Sequence, residues 1–288
     1  MIEESSKFLG YDYGIDQAQI LILPIPYEQT VSYRPGTREG PRAIITASQE
    51  LETYDEELEQ ETYQLGIHTL EKFGPIMSGP KEMIASVQKK ASELLKPGKF
   101  LVTLGGEHSL SFGLVKAFRE KHPSLSVLQL DAHADLRDSY QGTPFSHASV
   151  MSRIQEIVPT VQVGIRSLSL EESRLIKERQ LPVYFARDIR RGDDWMEKAI
   201  ERLSPQIYLT IDLDVLDPSI MPSVSNPEPG GFSWEDLLRF LRLLNTRREI
   251  IGFDIMELAP IPGNIAPDFL AAKLTYRLLG YIFSNKIK

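Results

Sequence analysis

The chain has no cysteine in 288 residues, which removes disulfide frameworks, cysteine-ligated zinc and thiol nucleophiles together. Histidine is scarce as well, with five in all, so a metal site would have to be built from a few imidazoles and carboxylates. No apolar run approaches the roughly 20 residues that a membrane helix needs. The start, MIEESSKFLGYDYG, is acidic and polar and lacks a basic segment followed by an apolar one. Positive charge is in deficit: 32 Lys and Arg against 40 Asp and Glu give a net charge of -8. Nucleic-acid binding depends on clustered cations that displace counterions from phosphates. These absences lead us to expect a cytoplasmic protein without nucleic-acid or membrane partners, whose acidity suits a small cationic substrate.

What is present is enough for a full core, at 42% hydrophobic residues. Short runs rich in Val, Ile and Leu occupy residues 19–26, 100–104, 125–130, 160–165, 182–186, 206–213 and 250–256. Between them lie helix candidates at 41–54, 80–95, 109–121, 147–156, 171–179, 194–203, 233–245 and 267–283. Runs that are apolar on both faces suit a buried parallel sheet, and their alternation with helices predicts a doubly wound α/β fold. Gly40-Pro41 is a helix opening, and Ser233 followed by Glu235 and Asp236 is a cap with acidic residues in the first turn. With no repeat, low-complexity linker or composition break, residues 1–288 read as one domain. The proline-rich stretch DPSIMPSVSNPEPGGF, 217–232, reads as a stiff loop within it.

Ligands of open α/β sheets bind at the carboxyl ends of strands, and chemistry-bearing residues collect at four such ends. His108 follows FLVTL in GGEHS; Asp131, His133 and Asp135 follow LSVLQL; Asp212 and Asp214 end QIYLTIDLD; Asp254 and Glu257 lie in IIGFDIMEL. Side chains alternate along a strand, so Asp131, His133 and Asp135 share a face, as do Asp212 and Asp214. Four carboxylates in a sheet crevice would repel one another and suffer desolvation, which divalent cations relieve. Two histidines and four carboxylates exceed one open zinc site but suit two metals, and hard oxygen donors with a minority of imidazole point to Mn(II) ahead of zinc. Alone, D-x-H is as consistent with a structural Asp–His hydrogen bond as with a ligand pair.

The segments GGEHSLSFG, LDAHADLRDSYQGTPFSHASVM, LTIDLDVLDPSIMP followed by PEPGG, and GFDIMELAP, in that order, resemble the ureohydrolases, the arginase and agmatinase family. The likeness extends from VSYRPGTREGPRAI to APDFLAAKLTYRLL. It implies a three-layer α/β/α sandwich assembled as homotrimers or homohexamers. It also implies two Mn(II) ions per subunit, with His108, Asp131, His133, Asp135, Asp212 and Asp214 as ligands. The implied activity is hydrolysis of a guanidinium group to urea and an amine. Asp135 would accept the released proton, His147 of FSHASV would shuttle protons and contact substrate, and Glu257 would hold the guanidinium.

LRDSYQGTPFSHAS after the triplet looks like the agmatinase branch, which cleaves agmatine to putrescine and urea in polyamine biosynthesis. Ser225-Asn226 stands where the family usually has Gly-Thr, and ELAP replaces EVNP or EVAP. Because the first departure lies beside the expected pocket, N1-aminopropylagmatine, guanidinobutyrate and arginine stay open as substrates. Of the remaining polar residues, Glu107 is a candidate for orienting a ligand and Asp254 for a place behind the ligands or at the sheet end. Arg166 is a candidate ion-pair partner of the site carboxylates, Asp217-Pro218 reads as a turn, and His68 and His122 take structural or surface roles. Two other classes compete. A metallophosphatase also opens with D-x-H, but it would need histidines beyond His147, and there are none. A catalytically silent metal-binding member would not need His147 and Glu257.

Overall fold

A computed structural model of the chain describes residues 7–192 and 194–284. Its strands are β1 (Ile20–Ile25), β2 (Ile67–Thr69), β3 (Phe100–Gly105), β4 (Ser126–Leu130), β5 (Thr160–Ile165), β6 (Val183–Phe185), β7 (Gln206–Asp212) and β8 (Glu249–Met256). They form a single sheet in the order β2-β1-β3-β8-β7-β4-β5-β6, with every pairing parallel. The helices are α1 (Gly40–Ser48), α2 (Pro80–Leu94), α3 (Ser111–Lys121), α4 (Val150–Ile154), α5 (Leu170–Arg179), α6 (Ala186–Ile189), α7 (Asp194–Glu201), α8 (Trp234–Arg247) and α9 (Ala266–Phe283).

Strand alternation divides the core in two. Ile20 and Ile22 of β1 face a cluster completed by α1, α7, α8 and α9. Leu21, Leu23 and Ile25 face one completed by α2, α3, α4 and α5. Both sheet faces are therefore covered, the three-layer α/β/α arrangement that two-sided apolar strands require.

The expected helix starts hold: Pro41 occupies the first turn of α1, and the Ser233 hydroxyl accepts from Asp236 N at 3.1 Å to cap α8. Local chemistry shortens other elements. The helix expected over 41–54 ends at Ser48, and Asp55 Oδ1 then accepts the backbone amides of Glu57 and Leu58, each at 3.0 Å, closing a turn. The helix expected over 147–156 splits into a 3-10 turn, His147–Ser149, and the short α4. The strand expected over 182–186 stops at Phe185, and Ala186 opens α6.

The order of the sheet positions the site. β3 and β4 are consecutive in sequence yet are separated by β8 and β7. The four strands whose ends carry the candidate residues are thus the contiguous centre of the sheet. The crevice where the winding reverses is the place such folds offer to a ligand.

Candidate metal centre

His108 follows β3 through a double glycine. A Cβ at Gly106 would stand 1.9 Å from the Tyr27 carbonyl oxygen, so only glycine lets the loop pass. The turn delivers a wholly buried imidazole into the carboxylates: His108 Nδ1 lies 3.1 Å from Asp131 Oδ2, 3.3 Å from Asp212 Oδ2 and 3.6 Å from Asp135 Oδ2. Its far nitrogen, Nε2, is 2.8 Å from the Thr210 hydroxyl, which in turn donates to Asp254 Oδ1 at 2.6 Å. Because the hydroxyl proton is spent on Asp254, Nε2 carries the hydrogen toward Thr210, which leaves Nδ1 as the nitrogen that faces the carboxylates. That Nδ1 is buried with no hydrogen-bond partner. An imidazole nitrogen held among carboxylate oxygens is a ligand once a metal ion displaces its proton, and a ligating histidine whose second nitrogen is anchored by a hydrogen bond is the usual arrangement.

His133 faces a second set. Its Nδ1 is 2.7 Å from Asp214 Oδ2 and 3.7 Å from Asp131 Oδ1. Two groups result, His108–Asp131–Asp212 and Asp131–His133–Asp214, each with ligand atoms close enough to share one ion and with Asp131 common to both. Backbone amides fix the carboxylates, since Ala132 N donates to Asp214 Oδ1 at 2.8 Å and Asp214 N to Asp212 Oδ1 at 2.9 Å. The two groups hold five of the six expected ligands at the ends of β3, β4 and β7; Asp135 belongs to neither and adjoins them with its Oδ2 3.6 Å from His108 Nδ1.

The electrostatics ask for positive charge. Burial, followed by repulsion from neighbouring aspartates, raises Asp131, and it raises Asp135 and Asp212 well above the carboxylate range. Burial would lower both imidazoles, yet the aspartates raise His108 well above its ordinary value and Asp214 and its neighbours raise His133 to about 11. Asp214, although buried, is held at about 2 by His133. The cluster thus carries excess negative charge in a dry crevice, and protons or metal cations must balance it.

Glu257, just past β8, receives His108 N on Oε1 at 2.7 Å and the Ser225 hydroxyl on Oε2 at 2.8 Å. Burial raises its carboxyl to about 8, so a bound cation would favour its ionised form. His147 is tied down by Thr30: His147 N donates to Thr30 Oγ1 at 3.0 Å, and His147 Nδ1 lies 3.2 Å from the same oxygen. Burial, then the charge of His133 and His108, lowers the His147 imidazole to about 4. Glu107 proves to orient Thr30 and not a candidate ligand, accepting from Thr30 N and Thr30 Oγ1 at 2.6 and 2.8 Å.

A cavity of about 240 Å³ opens from this cluster, lined at its base by His108, Asp135, Asp212, Asp214 and Glu257 and by His147 on one wall. Arg166 corrects an expectation. Instead of pairing with carboxylates, its guanidinium donates to backbone carbonyls of Gly164, Asp214, Val215, Leu216, Glu228 and Pro229, knitting the strand end to the proline-rich loop. Asp217 stabilises that loop through Ser219 N, Gly230 N and Gly231 N at 3.0, 2.8 and 3.1 Å. His68 and His122 lie away from the site, beside Tyr13 O and Gln206 Oε1.

Thr30, Thr210 and Ser225 were not singled out for these contacts in the sequence. Thr210 had a legible signal, since it precedes Asp212 by two residues and so shares its face of β7. Thr30 had none, reaching His147 from 117 residues away.

The model of the Arginase family matches residues 18–280. The chain is 41% identical to the N(1)-aminopropylagmatine ureohydrolase of Synechocystis sp. over 92% of its length and 89% of that protein. It is 32% identical to the agmatinase of Bacillus anthracis, with 96% of each chain covered. Its backbone is similar to the crystal structure of agmatine ureohydrolase of Thermoplasma volcanium, with a TM-score of 0.87 at 29% identity, covering 98% of this chain and 96% of that one. The chain belongs to the arginase family.

Proposed function

We propose that this chain is an agmatinase-type ureohydrolase that cleaves the guanidinium group of agmatine to putrescine and urea. The observation that carries this reading is the buried Nδ1 of His108, without a hydrogen-bond partner among the described residues yet held among Asp131, Asp135 and Asp212, with Glu257 clamped beside it. His108, Asp131, His133, Asp135, Asp212 and Asp214 would hold two Mn(II) ions. Such ions supply a water of lowered pKa and balance charge that builds up in the transition state.

The remaining work falls to the chain's own groups. Glu257 accepts hydrogen bonds from the planar guanidinium edge and fixes the reacting carbon over the aspartates. Asp135 takes the proton that the attacking water releases and returns it to the leaving amine. His147, kept neutral by its surroundings, passes protons between the cavity and bulk water. Thr30 and Glu107 keep its ring in place.

A second reading within the same chemistry takes N1-aminopropylagmatine as substrate. It is favoured by the relatives of that name, which are 35–41% identical, against 32–33% for those named agmatinase. We also read the protein as cytoplasmic and as a homotrimer or homohexamer, which sedimentation of the purified protein would test. Among the described residues no helix is long and apolar enough to cross a membrane.

Protein loaded with Mn(II) should release urea from agmatine or aminopropylagmatine much faster than from arginine or guanidinobutyrate. Two bound metals with no urea from any of the four would overturn the enzymatic reading.

A further inference from the structure

The cavity must hold more than a guanidinium, and its outer wall carries unlike charges. Away from the metal-binding aspartates and Glu257, its acidic lining residues are Glu172 and Glu228, and its cationic one is Arg137. Glu172 is already committed: Oε1 accepts from Leu136 N at 2.9 Å and Oε2 from Ser169 N at 2.6 Å, closing the capping box of α5. Arg137 leans over the Tyr140 ring, 5.1 Å from its centroid. The Glu228 carboxylate accepts no hydrogen bond from the described residues; His133 Nε2 lies 3.8 Å away, and the Arg166 guanidinium is near enough to feel its charge while donating to backbone carbonyls.

The loop beneath Glu228 is stiff. Its own carbonyl accepts from Arg166 Nη2 at 2.7 Å, and Pro229 O accepts from Arg166 Nε at 3.1 Å. Prolines flank it at 227 and 229, and Asp217 gathers the amides of Gly230 and Gly231. At Gly231 a Cβ would stand 2.4 Å from the Leu216 carbonyl carbon, so the turn is pressed against the strand end. A carboxylate with its hydrogen-bonding capacity unused is therefore presented on a fixed backbone at the cavity wall, 37% exposed.

Resting on the ureohydrolase reading, we propose that Glu228 is the subsite for the tail ammonium of the substrate and selects amine-tailed guanidines over carboxylate-tailed ones. The spacing agrees. One imidazole ring separates the cluster from Glu228, with His133 Nδ1 2.7 Å from Asp214 and Nε2 3.8 Å from Glu228. A four-methylene spacer puts the amine roughly 7 Å from the guanidinium carbon by standard bond lengths. That nitrogen is a primary ammonium in agmatine and a secondary one in aminopropylagmatine, and the carboxylate accepts from either. Arg137, elsewhere in the same lining, repels the cationic tail and so reinforces the choice.

The test compares Mn(II)-loaded wild type with Glu228→Gln and Glu228→Lys, using agmatine, guanidinobutyrate and uncharged butylguanidine. In steady-state urea release, Glu228→Gln should raise KM for agmatine about tenfold with kcat nearly kept, and leave butylguanidine within twofold; tenfold is the scale of one exposed charge-assisted contact. Glu228→Lys should reverse the preference toward guanidinobutyrate. Titration calorimetry of agmatine against butylguanidine should show the same loss of discrimination without depending on turnover. Equal losses for agmatine and butylguanidine, or unchanged agmatine binding in both variants, would overturn the subsite. Wild-type protein that binds agmatine through Glu228 yet releases no urea would overturn the enzymatic reading alone.

Discussion

Replacing Thr210 with Val tests how the site readies His108 for a metal. The isosteric change deletes a hydroxyl that accepts from His108 Nε2 at 2.8 Å and donates to Asp254 Oδ1 at 2.6 Å. All three residues are at most 1% exposed, so water cannot replace the lost partner. Leaving a buried polar group unpaired costs about 1–3 kcal/mol. His108 Nε2 and Asp254 Oδ1 lose a partner, as does the Ser111 hydroxyl 3.1 Å from Thr210, although Asp254 keeps the Tyr208 hydroxyl at 2.8 Å on its other oxygen. Metal-free protein should therefore lose about 2–5 kcal/mol in urea denaturation. Without the anchor, the Nε2 hydrogen is no longer specified, the Nδ1 lone pair is no longer guaranteed, and Mn(II) affinity should fall about 10–100-fold in competition with a colorimetric chelator. Thr210→Ser keeps the hydroxyl and should recover most of both losses. Wild-type Mn(II) affinity in the Val variant, or a Ser variant as impaired as Val, would refute the anchoring argument.

Glu257→Gln should keep metal occupancy but lower kcat/KM for guanidine hydrolysis by about 100-fold or more, the scale of removing a charged group at the reacting centre; steady-state urea release alongside metal analysis checks both. Arg277→Met should cost about 3–5 kcal/mol in denaturation, because it strands Asp55, 1% exposed and 2.7 Å from Arg277 Nε; adding Asp55→Asn should restore part of that. Asp268 is raised to about 6 by burial alone, so ionisation favours the unfolded chain. Its penalty is absent below the ordinary aspartate range, grows as pH rises from there to about 6 and is fully present above, where Asp268→Asn should stabilise by about 1 kcal/mol after discounting for partial exposure. Thermal melts of both proteins from pH 4 to 8 check the sign.

Where the sequence was legible, one local rule governed the element. The sheet and most helices follow from apolar runs and caps, and the gathering of His108, Asp131, Asp212 and Glu257 follows from placing each after a central strand. β2 was missed because it is three residues long at the sheet edge and carries polar His68 at its middle, so neither length nor pattern marks it. The partners of the site residues were missed for another reason. Thr30 meets His147 and Ser225 meets Glu257 across 117 and 32 residues, contacts created by topology, which no spacing encodes. Arg166 shows the opposite error: proximity in charge suggested carboxylates, but a guanidinium fan satisfies backbone carbonyls equally well once a loop presents them.

Two of the site carboxylates also lie where side chains rarely go. Asp135 and Glu257 have left-handed backbones, with φ of 53° and 67°, a conformation that costs a non-glycine residue about 1–2 kcal/mol. Neither is left to relax. The Asp135 carbonyl accepts the amides of Met151 and Ser152 at 3.1 Å each, which docks it on the first turn of α4, and Glu257 N donates to Gly106 O at 2.9 Å. Glycine would remove the strain at either position, but only by deleting the carboxylate. The fold therefore holds two acids in unfavourable backbone and crowds them beside other acids in a dry crevice, two costs of the same sign. The hydrogen-bonded backbone holds the strain in place, and cations in the bound state would offset the crowded charge, so metal-loaded protein should melt well above metal-free protein, and the gain should shrink when Asp135 is replaced by Gly.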